Sequence, residues 1–148
     1  MESVENWRIE YYDGAESSFE SWMDSLNEIK FAALSAAIEI VLAPNGLQLI
    51  GTPWIKHVDK GIFEFRIKYS AADIKAMYAI AGFNSPQPPA KILLRVFLHF
   101  HGSRNILLLS GYDKAVNDKS NKQQAEIRLA KLRLRRWLMR KNQEDAFS

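Results

Sequence analysis

The sequence predicts an α+β domain: a small twisted antiparallel sheet, made of a three-strand meander and an N-terminal strand, with a helical hairpin before the meander and a helix after it. Two observations support this prediction. Apolar and polar residues alternate over residues 62–69 and 92–100, the period of a strand. Apolar residues recur every three or four positions over residues 19–42 and 120–141, the period of a helix. A length of 148 residues fits a single domain.

The N-terminal elements are a strand and two helices. Residues 7–12 alternate in polarity and are rich in aromatics, and an Asp-Gly pair ends that strand. Ser17 and Glu20 have the spacing of a capping box for the first helix. The second helical pattern stops at residues 43–46, which contain proline and glycine, so we expect the two helices to form an antiparallel hairpin packed on the sheet.

The meander consists of three strands. Residues 62–69 and 92–100 form two of them, and the continuously apolar residues 106–109 form the third. Residues 70–91 are an insertion between the first two strands, with a short helix followed by a proline-rich loop.

The last element is a basic helix. Ser120 and Gln123 have the spacing of a second capping box. Residues 142–148 are expected to be a flexible tail. The apolar stripe of the helix consists of Ile127, Ala130, Leu134, Trp137 and Leu138, and its cations lie off that stripe.

The charges are distributed unevenly along the chain. The net charge is +3, but residues 1–28 carry eight acids and one base, whereas residues 112–148 carry five acids and ten bases. Half of all cations therefore lie in the last quarter of the chain, which favours a polyanionic partner. The plain alternative is a helix whose basic face is simply solvated.

Composition excludes several classes of protein. The absence of cysteine excludes a disulfide scaffold, a thiolate metal site and a cysteine nucleophile, and three histidines do not suggest a zinc site. We therefore predict neither a metal nor a cofactor. No apolar run approaches the ~20 residues that span a membrane, and the acidic N-terminus shows no signal peptide. These features predict a cytoplasmic protein with no membrane partner.

One face of the predicted sheet gathers charged side chains. Glu64, Arg66 and Lys68 share a face of one strand, and Arg95 and His99 share a face of its neighbour. Cross-strand residues lie ~5 Å apart, so these cations repel one another unless an anion neutralises them. Two guanidinium groups can hold a phosphate through paired hydrogen bonds, which makes this face a candidate anion site. The plain alternative is an exposed ion pair between Glu64 and an arginine.

Five short motifs follow one another along the chain. They are residues 51–56 (GTPWIK), 60–66 (KGIFEFR), 95–97 (RVF), 106–114 (ILLLSGYDK) and 125–133 (AEIRLAKLR). In this order they resemble the HigB-like, phage-derived branch of the RelE/ParE toxins, which belong to type II toxin–antitoxin systems. The order of strands and helices also resembles that family, and the resemblance covers residues 7–138.

The resemblance implies a small α+β domain with a concave face. Many family members are ribosome-associated endoribonucleases that cut messenger RNA. Ser110 stands where the family often has histidine, and Lys114 is single where a lysine pair is usual. Both positions, and the insertion over residues 70–91, depart from the family pattern. Carried over by position, the resemblance points to Arg66, Arg95, Tyr112 and Lys114.

We therefore predict an endoribonuclease that needs no metal, in which the 2′-hydroxyl of RNA attacks the adjacent phosphorus. Arg66 and Arg95 are assigned to the charge that develops on the phosphate, because guanidinium groups stay charged at all working pH. The candidates for proton transfer are Glu64 and His99 and, if their pKa values are strongly shifted, Lys68, Lys114 and Tyr112.

Other residues are predicted to bind the nucleic acid. Tyr112 has a second candidate role as a stacking surface for an RNA base. The acidic residues 1–28 are a candidate shield for the basic groove, with a solvated helix face as the alternative. The predicted phosphate-binding cations are Lys56, Lys68, Arg128, Lys131 and Arg135.

The resemblance also implies partners, namely a cognate antitoxin of the helix-turn-helix type, messenger RNA and the ribosome. Three other functions stay open. The chain fits a gyrase-inhibiting toxin of the ParE kind, which needs no catalytic residues. It also fits a non-catalytic binding module of the same fold, or a general nucleic-acid-binding protein that uses the basic helix.

Overall fold

A computed structural model of the chain describes residues 5–81 and 89–147 and confirms the α+β class. One five-stranded sheet has the order β1-β5-β4-β3-β2. The N-terminal strand β1 runs parallel to β5, and the other neighbours are antiparallel. The strands are β1 (Arg8–Tyr11), β2 (Ile55–Asp59), β3 (Ile62–Tyr69), β4 (Ile92–His101) and β5 (Asn105–Asp113).

The sheet has one strand more than predicted. Strand β2 pairs antiparallel with β3 and forms the edge of the sheet. Its five residues, IKHVD, are too short and too mixed in polarity to show a period of two. Gly61 turns the chain between β2 and β3 with a φ of 71°, a conformation that glycine adopts without a steric penalty.

One face of the sheet is covered by helices from the first third of the chain. They are α1 (Phe19–Ser25), α2 (Glu28–Ala36), a π-helical segment (Ala37–Leu42), α3 (Ala43–Asn45) and a 3₁₀ turn (Gly46–Leu49). Their buried apolar side chains pack on the inward face of the sheet in one core cluster. The cap of α1 is one residue later than predicted, because the hydroxyl of Ser18 accepts from the backbone N–H of Ser21.

The helical stretch Glu28–Leu49 is long and apolar enough, by length and composition alone, to cross a membrane. This stretch was not predicted as a candidate membrane span, because polar residues interrupt its apolar residues. Ile29, Leu34 and Ile38 are buried against the sheet, as in the core helix of a soluble domain. These residues of the stretch therefore belong to the core of the α+β domain.

The opposite face of the sheet is partly covered by α5 (Ser120–Phe147), a helix of 28 residues that is about 42 Å long. Ile127, Ala130 and Leu134 of the predicted stripe pack against Phe97 and Leu109 in a second core cluster, but Leu138 of that stripe is exposed. The helix continues to Phe147, so residues 142–147 of the expected flexible tail are helical.

The insertion contains the predicted short helix, α4 (Ala71–Ala81), whose Ile74 is buried. Most of the predicted proline-rich loop lies outside the described residues. The chain re-enters the sheet at β4, so the insertion connects two neighbouring antiparallel strands.

Candidate nucleic-acid interface

Two arginines and a tyrosine form one row across the sheet. Arg66 of β3 is the cross-strand partner of Arg95 in β4, and Arg95 is the partner of Tyr112 in β5. Cross-strand partners have Cβ atoms ~4.5–5.5 Å apart, so the two guanidinium groups start from neighbouring positions. The structure thus brings together three of the four residues to which the motifs pointed.

Glu64 lies two residues before Arg66 on β3 and forms the ion pair with an arginine that was the alternative interpretation, but its carboxylate is buried and not exposed. Its residue is only 1% exposed. One carboxylate oxygen accepts from Arg66 Nε at 2.8 Å, and the other accepts from Gln123 Nε2 of α5 at 2.7 Å. Both oxygens are therefore engaged, and the carboxylate orients Arg66 and offsets one of the two arginine charges. Gln123 was predicted to form a capping box with Ser120, but its side-chain amide donates to Glu64 instead.

Arg95 is half-buried between the charges of its neighbours. Burial lowers the pKa of its guanidinium, and the positive charge of Arg66 lowers it further, while Glu64 raises it. An arginine nevertheless stays protonated throughout the working pH range. Two cations against a single buried carboxylate leave an excess of positive charge, which favours an anionic ligand.

Tyr112 is 4% exposed and stacks against Phe97 with ring centroids 6.2 Å apart. Burial raises the pKa of its hydroxyl, and the negative charge of Glu64 adds to the effect. The hydroxyl is therefore protonated at neutral pH and can donate a hydrogen bond. The ring has no open face on which an RNA base can stack, so that predicted role is wrong.

A cavity of about 440 Å³ opens over the arginine pair. Pro53, Trp54, Arg66, Lys68 and Arg95 line it. Pro53 and Trp54 belong to the motif at residues 51–56 but were not predicted as site residues. The signal that could have identified them as site residues is their position immediately before β2, the strand that pairs with β3.

Lys114 and Ser110 lie beside the cavity without lining it. The backbone N–H of Lys114 donates to the carbonyl of Leu93 at 2.8 Å, which places this half-buried residue beyond the end of β5. Ser110, at the position where the family often has histidine, is buried and donates to the carbonyl of Glu126 in α5 at 3.1 Å. Its hydroxyl therefore holds the helix on the sheet.

His99 lies apart from the arginine pair. It is four residues along β4 from Arg95, a separation of ~13 Å in a strand. Its Nδ1 is 2.6 Å from the carbonyl oxygen of Gly61, and its ring is 6.3 Å from that of Trp137 in α5. β4 is an interior strand, so His99 does not lie at an edge of the sheet.

The predicted phosphate-binding cations spread over a wider surface. Lys56 is exposed on β2 opposite Glu64, and Lys68 lines the cavity. Arg128, Lys131 and Arg135 are exposed on α5, where Lys131 Nζ is 3.3 Å from Asp59 Oδ2.

The acidic N-terminal region pairs with other cations of α5. Glu16 Oε2 is 3.2 Å from Arg136 Nη1, and Tyr12 donates to the same carboxylate at 3.0 Å. The backbone N–H of Glu16, the hydroxyl of Tyr12 and nearby arginines lower the pKa of this carboxyl. The contact is located near the C-terminal half of the helix, away from the cavity.

No protein-family model matches the chain, and neither a curated protein nor a solved structure matches it. The resemblance to RelE/ParE toxins rests on the sequence motifs alone. A function for the chain must therefore be argued from the cavity and the charges around it.

Proposed function

We propose that the chain is the toxin of a type II toxin–antitoxin pair, a cytoplasmic endoribonuclease of the RelE/ParE kind that cuts messenger RNA on the ribosome. The observation that carries the proposal is the cross-strand pair of Arg66 and Arg95 at a cavity that Lys68 also lines. Its partners are an antitoxin of the helix-turn-helix type, messenger RNA and the ribosome.

The chemistry proposed is attack of a 2′-hydroxyl on the adjacent phosphorus, which forms a 2′,3′-cyclic phosphate while the bond from phosphorus to the 5′-oxygen of the next nucleotide breaks and that oxygen takes up a proton. Arg66 and Arg95 bind the phosphate oxygens and stabilise the charge that grows on them. The forked guanidinium donors suit a planar pair of phosphate oxygens better than a lysine does. Glu64 keeps Arg66 in position through its ion pair at 2.8 Å.

Proton transfer falls to groups other than Glu64 and His99. Glu64 is buried with both oxygens engaged, and His99 is remote from the cavity. Of the remaining candidates, Lys68 lines the cavity and is proposed as the base, whereas Lys114 and the buried Tyr112 lie outside its lining. A lysine needs a strongly lowered pKa for that role.

The test is cleavage of messenger RNA by the purified chain with ribosomes, read by primer extension. The wild-type protein should produce cuts within the reading frame, and Arg95→Ala should produce none while keeping the wild-type melting temperature. Arg8→Ala is the matched control, because Arg8 is exposed on β1 at the far edge of the sheet. Cleavage by Arg95→Ala at the wild-type rate would show that the site is assigned wrongly.

A second candidate function is a non-catalytic nucleic-acid-binding module of the same fold. The observation that favours it is the engagement of Glu64, which removes the strongest general base near the arginines. In the same assay this module protects RNA and leaves it uncut. Growth of cells that express the chain alone then stays normal.

A further inference from the structure

The wall of the cavity beside Arg66 is a rigid loop that ends in an aromatic residue. The backbone N–H of Arg66 donates to the carbonyl of Trp54 at 2.7 Å, which ties the loop to β3. The hydroxyl of Thr52 donates to the carbonyl of Leu49 at 2.5 Å and accepts from the N–H of Trp54 at 3.2 Å. The loop is therefore held at both ends.

The indole of Trp54 is supported but not enclosed. Its ring centroid is 5.9 Å from that of Phe65, at an angle of 33°. Trp54 is only partly buried and lines the cavity together with Pro53. Among the described residues lining the cavity, Trp54 is the one aromatic.

The lining of the cavity combines two kinds of chemistry. Arg66, Lys68 and Arg95 contribute cationic side chains to the lining, and Pro53 and Trp54 contribute apolar ones. A nucleotide has the same two parts, an anionic phosphate and a flat base. Bases stack on aromatic side chains in single-stranded nucleic acids, because a base in a duplex has both faces covered by its neighbours.

We propose that this cavity is a subsite for one nucleotide of single-stranded RNA, in which the base stacks on Trp54 and the adjoining phosphate is held by Arg66 and Arg95. The inference rests on the proposed function and deepens it, since it assigns the substrate class to single strands. Trp54 acts here as a binding residue and takes no part in proton transfer.

The test measures the affinity of purified variants for a short, labelled, single-stranded 2′-O-methyl RNA, which cannot undergo attack by its own 2′-hydroxyl. Trp54→Ala should weaken binding about tenfold, the usual loss for one stacked base. Trp54→Phe should restore most of the affinity, because the ring is kept. Trp22→Phe is the control for a partly buried tryptophan that does not line the cavity, and it should bind like the wild type.

Two further probes separate stacking from charge. The affinity for a duplex of the same sequence should be unchanged by Trp54→Ala, and the inhibition constant of inorganic phosphate should be the same for both proteins. If Trp54→Ala does not fold, Trp54→Leu keeps an apolar side chain without an aromatic face and should show the same loss.

The outcomes distinguish the subsite from the function. If the Trp54 variants bind single-stranded RNA like the wild type while Arg95→Ala does not, the stacking subsite is wrong and the proposed function stands. If Trp54→Ala weakens single-strand and duplex binding equally, stacking is likewise wrong. If the wild-type protein neither binds nor cuts RNA, the proposed function fails and the subsite fails with it.

Discussion

Gln123 and Glu64 are joined by a hydrogen bond of 2.7 Å between Nε2 and Oε2, although 59 residues separate them in the chain. The bond links the first turns of α5 to the middle of β3. Because the second oxygen of Glu64 binds Arg66, the helix and the arginine share one buried carboxylate. The position of α5 therefore influences the geometry of the arginine pair.

Removal of the Gln123 amide should destabilise the fold. Gln123→Ala leaves a buried carboxylate oxygen without its donor, which costs about 1–3 kcal/mol in the free energy of unfolding. Urea denaturation at neutral pH measures this cost. Gln124→Ala is the matched control, because the neighbouring Gln124 is exposed on the same helix. Equal stabilities of the two variants would contradict the role of the bond.

Arg95 should bind a phosphate directly. Arg95→Ala should weaken RNA binding and reduce the slope of log affinity against log salt by about one, since one counterion fewer is released. Fluorescence anisotropy over a salt series gives that slope. The exposed Arg8 on the opposite edge strand is the control. A slope for Arg95→Ala equal to that of Arg8→Ala would place the phosphate elsewhere.

The stability of the protein should fall in strongly alkaline solution. Burial raises the pKa of Tyr11, Tyr12, Tyr69 and Tyr112 above the ordinary tyrosine value of 10.0. The unfolded chain loses these protons first, so stability is complete below pH ~10 and declines as the pH rises through the folded-state pKa values.

Unfolding midpoints measured on both sides of pH ~10 test this expectation. Tyr112→Phe should show a smaller alkaline decline than the wild type, because one of the contributing hydroxyls is gone. A decline of the same size in both proteins would mean that Tyr112 titrates as an exposed phenol does.

Glu16 should compete weakly with RNA for the basic helix. Its carboxylate is 3.2 Å from Arg136, and exposed ion pairs contribute ~0–1 kcal/mol. Glu16→Gln should therefore raise the affinity for RNA about twofold. The control is Asp24→Asn in α1. Asp24 is exposed, and no ion pair with an arginine is seen for it among the described residues, so this variant removes the same charge without breaking such a pair. Identical affinities for both variants would exclude shielding by Glu16.

The alternation of apolar and polar residues predicted which side chains share a face of the sheet. Arg66 and Arg95 do lie in one row, because the side-chain direction of a strand follows directly from its period of two. The same rule placed Glu64 on that face. Its burial could not be predicted, since it depends on where Gln123 of α5 lands after folding.

The contact between His99 and Trp137 could not be predicted for the same reason. The face of His99 was predicted, but its neighbour Trp137 comes from a helix 38 residues later in the chain. Tertiary packing of this kind leaves no mark on local periodicity. Trp54 was missed for a different reason, because it belongs to a turn before a short edge strand and not to a periodic element.

The parallel pairing of β1 with β5 also affects how the chain folds. Arg8 is the register partner of Asn105, so the N-terminal strand finds β5, its one neighbour among the described strands, after more than two thirds of the chain has been synthesised. Contacts between such distant residues slow folding, because a long loop must close before any of them forms. A growing chain therefore carries β1 unpaired until β5 has emerged, and any product truncated before β5 has no place for it.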